Sequence, residues 1–362
     1  MNTRALRLAG VLIKMPTLSR PARLLACCLV TWAFVLLSGC HTPAPQPPLT
    51  RFKFSEPHMG TLYDITLYAP EAAAANAAAE AAFRRIAELD RMMTDYNTNS
   101  ELMRLTLHAV GESIPVSPDL FTIFAESERV SRQTAGAFDI TVGPFVQAWR
   151  TSRKTGKLPS PAKLAELRQA VGHDKLRLDP RARTVTLLAP HMRLDLGGIA
   201  KGYAADQALA VIRRAGFRSA LVAASGDLAI GDAPPGMAGW KIGIAALEGL
   251  PNTPPRTILL HNAGVSTSGD TEQNVEINGV RYSHIVDPIT GLGLTNRIQV
   301  TIIGPNATIT DGLDTPLDIM GAERALALVD ARPELAALIV TKDDSGTHTF
   351  PSRQFRRRFP GN

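Results

Sequence analysis

Segments of helical period and segments of strand period alternate from residue 59 to residue 341, with no long linker between them. This constrains the fold more than any other feature, because each half-apolar element must bury its face against another. Residues 59–68 alternate as a strand, and residues 71–95 carry Phe83, Ile86, Leu89, Met92 and Met93 at helical spacing. Ser117-Pro118 opens a second helix over 118–134, since serine caps the free amides and proline suits the first turn. A short helix is predicted at 161–171, strand-like pairs at 176–188, and a helix at 198–215 behind a glycine pair. Strand signals then dominate at 219–223, 227–231, 240–245, 256–261, 281–286 and 297–303, before a helix at 313–331 and a strand at 335–341. No repeat of solenoid period occurs. Long helices mixed with hairpin-like strands predict one compact mixed α/β (α+β) domain rather than a purely doubly wound sheet.

The 362 residues divide chemically near position 40. Cys27, Cys28 and Cys40 are the only cysteines, so the body has no disulfide, no thiolate metal site and no cysteine nucleophile. Five of the 39 basic residues and no acid fall in residues 1–39, leaving 34 basic against 33 acidic residues after them. A body this close to neutral gives no support for nucleic-acid binding. Residues 24–37 form an apolar run of 14 behind arginines, short for a membrane span and suited to a signal-peptide core. It ends in Leu37-Ser38-Gly39-Cys40, which resembles a bacterial lipobox; an ordinary signal peptide or a short anchor is the alternative. The expected organisation is a signal peptide at 1–39, a lipidated Cys40 with a Pro-rich tether over 40–52, a body over 53–352 and a basic tail over 353–362. Met15 is a second candidate start. The expected location is the bacterial cell envelope, anchored by lipid on Cys40, with the body facing the periplasm; either membrane fits.

Five constellations could carry chemistry. Residues 194–206 end a strand at Asp195, turn through Gly197-Gly198 and open a helix with Lys201 in its first turn, a geometry suited to phosphate. A plain strand-to-helix turn fits equally, and neither the Walker nor the dinucleotide glycine pattern is present. Ser225-Gly226-Asp227 reads as a tight turn stabilised by its aspartate. His284, ahead of the Asp287-Pro288 turn, is a proton shuttle or a structural strand histidine. Asp311 and Thr315 share a helix face and could hold a hard cation such as Mg²⁺, or Asp311 could cap the helix. Gly136-Ala137-Phe138-Asp139, with Tyr96 earlier in the chain, offers aromatic surfaces for a planar ring, or simply core.

Taken in order, these segments resemble the FAD:protein FMN transferase (ApbE) family. The matching pieces are Met59-Gly60-Thr61, Gly136 to Asp139 with Gly143-Pro144, Asp195 to Asp206, Ser225-Gly226-Asp227, Ser268-Gly269-Asp270, Ser283 to Gly291, and Asp311 to Leu317. They cover residues 59–317. The resemblance implies a single T-fold-related α/β domain that binds FAD with Mg²⁺. It implies transfer of the FMN portion to a Ser or Thr hydroxyl of an acceptor redox protein, with AMP released. By motif, Met59, Tyr96, Ala137, Phe138 and Asp139 would lie against the rings of FAD. Asp195, Lys201 and Ile285 would hold FAD, and the Gly198 carbonyl, Asp311 and Thr315 would hold Mg²⁺. His284 would take the proton of the acceptor hydroxyl, a general-base role that contributes typically ~100- to 10,000-fold. The implied acceptor carries a Ser/Thr flavinylation motif and belongs to a membrane redox complex. The last motif departs from the family pattern at Gly312, Asp314 and Pro316; Asp314 is either an added metal ligand or a helix cap. FAD pyrophosphatase activity and non-catalytic flavin binding are the competing readings.

Overall fold

A computed structural model of the chain describes residues 48–244, 256–269 and 274–361. The signal-peptide segment, Cys40, residues 41–47 of the tether and Asp270 lie outside the described residues. Residues 49–362 form one compact unit. Its elements run β1 (Thr50–His58), β2 (Thr61–Ala69), α1 (Ala72–Met93), α2 (Glu101–Arg104), β3 (Ile114–Pro115), α3 (Pro118–Gln133), α4 (Gly143–Thr155), α5 (Pro161–Arg168), β4 (Leu176–Asp179), β5 (Thr184–Leu187) and α6 (Ala200–Arg214). There follow β6 (Ala220–Ala224), β7 (Asp227–Ile230), β8 (Trp240–Ile244), β9 (Arg256–Leu260), β10 (Ala263–Gly269), β11 (Asn274–Ile277), β12 (Val280–Ser283) and β13 (Arg297–Gly304). The chain closes with α7 (Ala307–Asp330), β14 (Ala336–Asp343), β15 (Gly346–Pro351) and α8 (Arg353–Arg358).

Eight strands form one sheet in the order β1-β2-β6-β7-β10-β13-β14-β15, and every neighbouring pair is antiparallel. Alternate residues feed two different cores, as the strand period requires. In β14, Ala337 and Ile339 join the core beneath α1, α6 and α7, while Ala336 and Leu338 face the opposite side. That opposite face is covered by the β8–β9 ribbon, through Trp240, Ile242 and Ile258, and by Phe355 of α8. The central strands are therefore buried on both faces, and this explains why seven of the eight residues of β13 are buried.

Several expected boundaries move. The strand predicted at 59–68 is the second arm of a hairpin whose turn is Met59-Gly60, both with positive φ (49° and 73°), which suits hairpin twist. Its first arm, β1, takes in residues 50–52 that were expected to be tether, because Phe52 and Phe54 pack on the core. Residues 353–358, expected as a loose basic tail, form α8: the Ser352 side chain caps it and Phe355 is fully buried. The helix predicted at 313–331 starts at Ala307, capped by Asn306, whose Oδ1 accepts from the Ile309 amide at 2.9 Å. Asp206 of α6 also accepts from the Ala307 and Thr308 amides, at 3.0 and 2.8 Å. Pro316 thus lies inside the helix instead of in its first turn.

Close approach fixes where α7 begins. A Cβ on Gly264 in β10 would lie 2.1 Å from the carbonyl carbon and oxygen of Asn306. Gly264→Ala should therefore destabilise the fold by ~1–3 kcal/mol through overpacking. Gly243→Ala, where nothing lies within 4 Å, should stay within ~0.5 kcal/mol of wild type. Thermal or urea unfolding of both variants checks the contrast, and equal stabilities would refute it.

Candidate active site

Two helices cross where the chain has no side chain to keep them apart. A Cβ on Gly202 would stand 2.3 Å from the Ala307 carbonyl oxygen and 2.7 Å from Asp311 Cβ. With glycine there, the Gly202 amide donates to Asp311 Oδ2 at 2.7 Å. Asp311 lies in the second turn of α7, so it does not cap its own helix and instead satisfies the first turn of α6. Thr315 follows one turn later. A Cβ on Gly198 would lie 3.8 Å from Thr315 Oγ1 and 3.5 Å from Phe138 Cε2. The expected trio Gly198, Asp311 and Thr315 therefore meets at the start of α6.

Asp227 joins them from the β6–β7 turn, where Ser225 holds a positive φ of 57°. One carboxylate oxygen each from Asp227, Asp311 and Asp314 lie within 4.8 Å of one another, and all three side chains are buried. Lys201 forms an ion pair with Asp227, and its Nζ is 3.7 Å from Asp311 Oδ1. Burial, and then Asp227, push the Asp311 carboxyl up to about 7, against the pull of Lys201 and the Gly202 amide. Burial, Asp227 and Asp311 push Asp314 well above the usual carboxylate range. Burial opposes the charged form of Lys201, but the three aspartates outweigh it and hold its pKa above the ordinary lysine value. With all three carboxylates ionised, one ammonium leaves the cluster two negative charges in excess. Hard oxygen donors with that excess fit a divalent cation such as Mg²⁺.

Lys201, expected to hold FAD, turns its ammonium toward the acidic cluster. Asp227, expected as a turn residue, and Asp314, expected as either a ligand or a cap, both belong to the cluster. Only the three-dimensional meeting of the β6–β7 turn with α7 distinguishes Asp227 from an ordinary turn aspartate.

Met59 reaches this region through Tyr63, whose hydroxyl is 3.3 Å from both Met59 Sδ and the Lys201 carbonyl oxygen. The Met59 amide donates to Asp90 Oδ2 at 2.9 Å. Residues 138–143 run beside 193–195: the Asp195 amide donates to the Ile140 carbonyl at 2.8 Å, and Val142 bridges Arg193. Ala137 and Phe138 are buried there. Asp139 is turned inward, its Oδ1 accepting from the Thr141 amide and hydroxyl at 2.8 and 2.7 Å. Burial raises the Asp139 pKa in spite of those bonds. Asp195 Oδ1 accepts from the Gly197 amide at 2.8 Å, and burial followed by Asp95 raises its pKa. Tyr96 is exposed beside Arg150, a residue the motifs did not single out.

His284 and Ile285 stand on a separate support. His284 directly follows β12, not within the expected strand, and is half-buried. Trp149 of α4 donates its indole N–H to the Ser283 carbonyl at 3.1 Å, and the Ile285 amide donates to Ser283 Oγ at 3.1 Å. The buried cluster of Trp149, Ile277 and Tyr282 seats the β11–β12 ribbon on α4.

The ApbE family model matches residues 59–339. The FAD:protein FMN transferase of Vibrio cholerae serotype O1 is 30% identical over 328 residues, covering 90% of this chain and 96% of that protein. The FAD:protein FMN transferase of Klebsiella pneumoniae is 31% identical over 336 residues, covering 90% and 94%. Among solved structures, the flavin transferase ApbE from Vibrio cholerae superposes with a TM-score of 0.79 at 30% identity, covering 86% of this chain and all of that one. The flavinyl transferase ApbE of Pseudomonas stutzeri, in its apo form, gives 0.78 at 27% identity, covering 88% and 99%. The arrangement of α6, α7 and the sheet thus comes with matching sequence over nearly the whole body, and the chain belongs to the ApbE family.

Proposed function

We propose that this chain transfers the FMN portion of FAD to a Ser or Thr hydroxyl of an acceptor protein and releases AMP. The observation that carries the reading is the buried Asp227–Asp311–Asp314 cluster, partly neutralised by Lys201 at the start of α6, in a chain of this family. Asp311, Thr315 and the Gly198 carbonyl, with Asp227 and Asp314 beside them, would hold Mg²⁺. When bound, the ion supplies Lewis-acid polarisation and charge neutralisation at the pyrophosphate. The start of α6 turns the positive end of its dipole toward the same phosphates. Lys201 keeps the carboxylates from repelling each other when FAD and the ion are absent. His284 takes the proton of the acceptor hydroxyl as that oxygen bonds to the FMN phosphorus. The bond from that phosphorus to the bridging oxygen breaks, and AMP leaves with the bridging oxygen. The reading includes lipid attachment at Cys40, a periplasmic catalytic domain and an acceptor in a membrane redox complex; residues 24–40 and the prolines of 41–50 support it.

The test is incubation with FAD, Mg²⁺ and an acceptor bearing a Ser/Thr flavinylation motif. AMP release and flavin fluorescence on the denatured acceptor should both depend on acceptor and metal. AMP and free FMN with no labelled acceptor would replace transfer by hydrolysis of FAD. In the same assay His284→Ala should cost ~100- to 10,000-fold in rate with FAD binding retained, and normal turnover would remove His284 from the mechanism. Asp311→Ala should raise the Mg²⁺ concentration for half-maximal rate by ~10- to 100-fold or more; full activity at limiting Mg²⁺ would exclude it as a ligand. Cys40→Ser should move the protein from the membrane to the soluble fraction, and unchanged membrane association would contradict the anchor.

A further inference from the structure

The proposed transfer gives no role to Arg150 of α4, yet its guanidinium meets three groups at once. Nη1 donates to Asp95 Oδ2 at 2.5 Å, Nη2 donates to Asp195 Oδ2 at 3.4 Å, and Cζ lies 4.4 Å from the centroid of the Tyr96 ring. Tyr96 is 81% exposed, so the guanidinium covers one ring face and leaves the rest open. A planar guanidinium stacks on an aromatic face and draws on the ring's negative quadrupole.

An exposed tyrosine on a loop ordinarily keeps its rotamer freedom, and a ligand that stacks on it must remove that freedom. Here the loop is tied down before any ligand arrives. The Tyr96 amide donates to Thr94 Oγ1 at 3.2 Å. Asp95, its neighbour, accepts from Gln147 Nε2 at 3.1 Å as well as from Arg150, and the Asp95 carbonyl accepts from Arg193 Nη2 at 2.7 Å. Asp95 and Asp195 against Arg150 and Arg193 make a balanced set of charges beneath the ring. An aromatic face held at the surface by half-buried ion pairs is suited to receive another planar ring.

We propose that Arg150 is a positioning residue for FAD: it stacks behind Tyr96, presets the open ring face for a planar ring of the dinucleotide, and ties that platform to Asp195. The inference rests on the FAD reading given above. Arg150 touches no reacting atom and acts through Tyr96 and Asp195. Its effect therefore belongs to binding and not to the rate of the chemical step.

The experiment is equilibrium FAD binding to the full chain with Mg²⁺, followed by flavin fluorescence, alongside thermal melts and steady-state AMP release. Arg150→Ala should weaken FAD binding about 3- to 10-fold, with the loss appearing in KM for FAD and not in kcat. Arg150→Lys keeps the charge beside Asp95 but not the plane, so it should recover less than half of that loss. In a Tyr96→Ala background, Arg150→Ala should add less than a two-fold further loss. FAD affinity unchanged in Arg150→Ala, or two losses that simply multiply, would overturn the proposal. A lowered melting temperature with unchanged affinity would also overturn it, since that is what a clamp with no role in binding would give. Should the alanine variant fail to fold, the lysine variant decides alone, and wild-type affinity in it would overturn the proposal. Failure of the wild-type chain to bind FAD at all would overturn the FAD reading and this inference together.

Discussion

The crossing of α6 over α7 holds three buried carboxylates and one ammonium at a distance that only glycine at position 202 permits. Burying like charges together costs several kcal/mol unless compensation is close at hand. Lys201 and the Gly202 amide supply part of it from inside the same helix turn, so the sequence Ala200-Lys201-Gly202 is as much a structural device as a binding one. Everything around the crossing serves to fix it. Asp206 and Asn306 bind the start of α7, Gly264 lets β10 close on it, and the doubly covered sheet gives both helices a rigid floor.

The division of labour follows the supports. The acidic cluster and the α6 turn sit on elements packed into the main core. His284 sits just after a two-stranded ribbon whose own small core rests on Trp149. The acidic cluster is thus anchored independently of His284.

How legible this was in the sequence depends on range. Asp311 and Thr315 could be paired because a helix places i and i+4 on one face, and the structure keeps them together with Gly198. Asp227 could not be paired with them, because its local sequence is that of a two-residue turn and its partners lie 26 and 84 or more positions away. The helix at 118–133 is legible from its Ser-Pro start, whereas Gly143-Pro144 closes a segment of small residues and gives no local sign that it opens α4. Strands β10, β11 and β15 carry Gly, Ser, Asn and Pro where a strand signal needs branched or aromatic residues, and tertiary pairing overrides that composition. Arg150 was invisible for a further reason: a guanidinium over a tyrosine 54 positions away leaves no periodic trace.

The sheet order bears on how the chain reaches this state. β2 finds its second partner in β6, with Tyr63 opposite Ala224, so the first hairpin stays an edge until more than 150 further residues exist. The β6–β7 hairpin then pairs with β10 and not with the ribbon that follows it in sequence. Such distant pairings cost loop-closure entropy before any burial repays it, and they place this fold among the slow folders. During that interval the apolar face of β2, with Ile65 and Leu67, has nothing but α1 to cover it. The N-terminal hairpin therefore keeps an unpaired strand edge for much of the chain's synthesis.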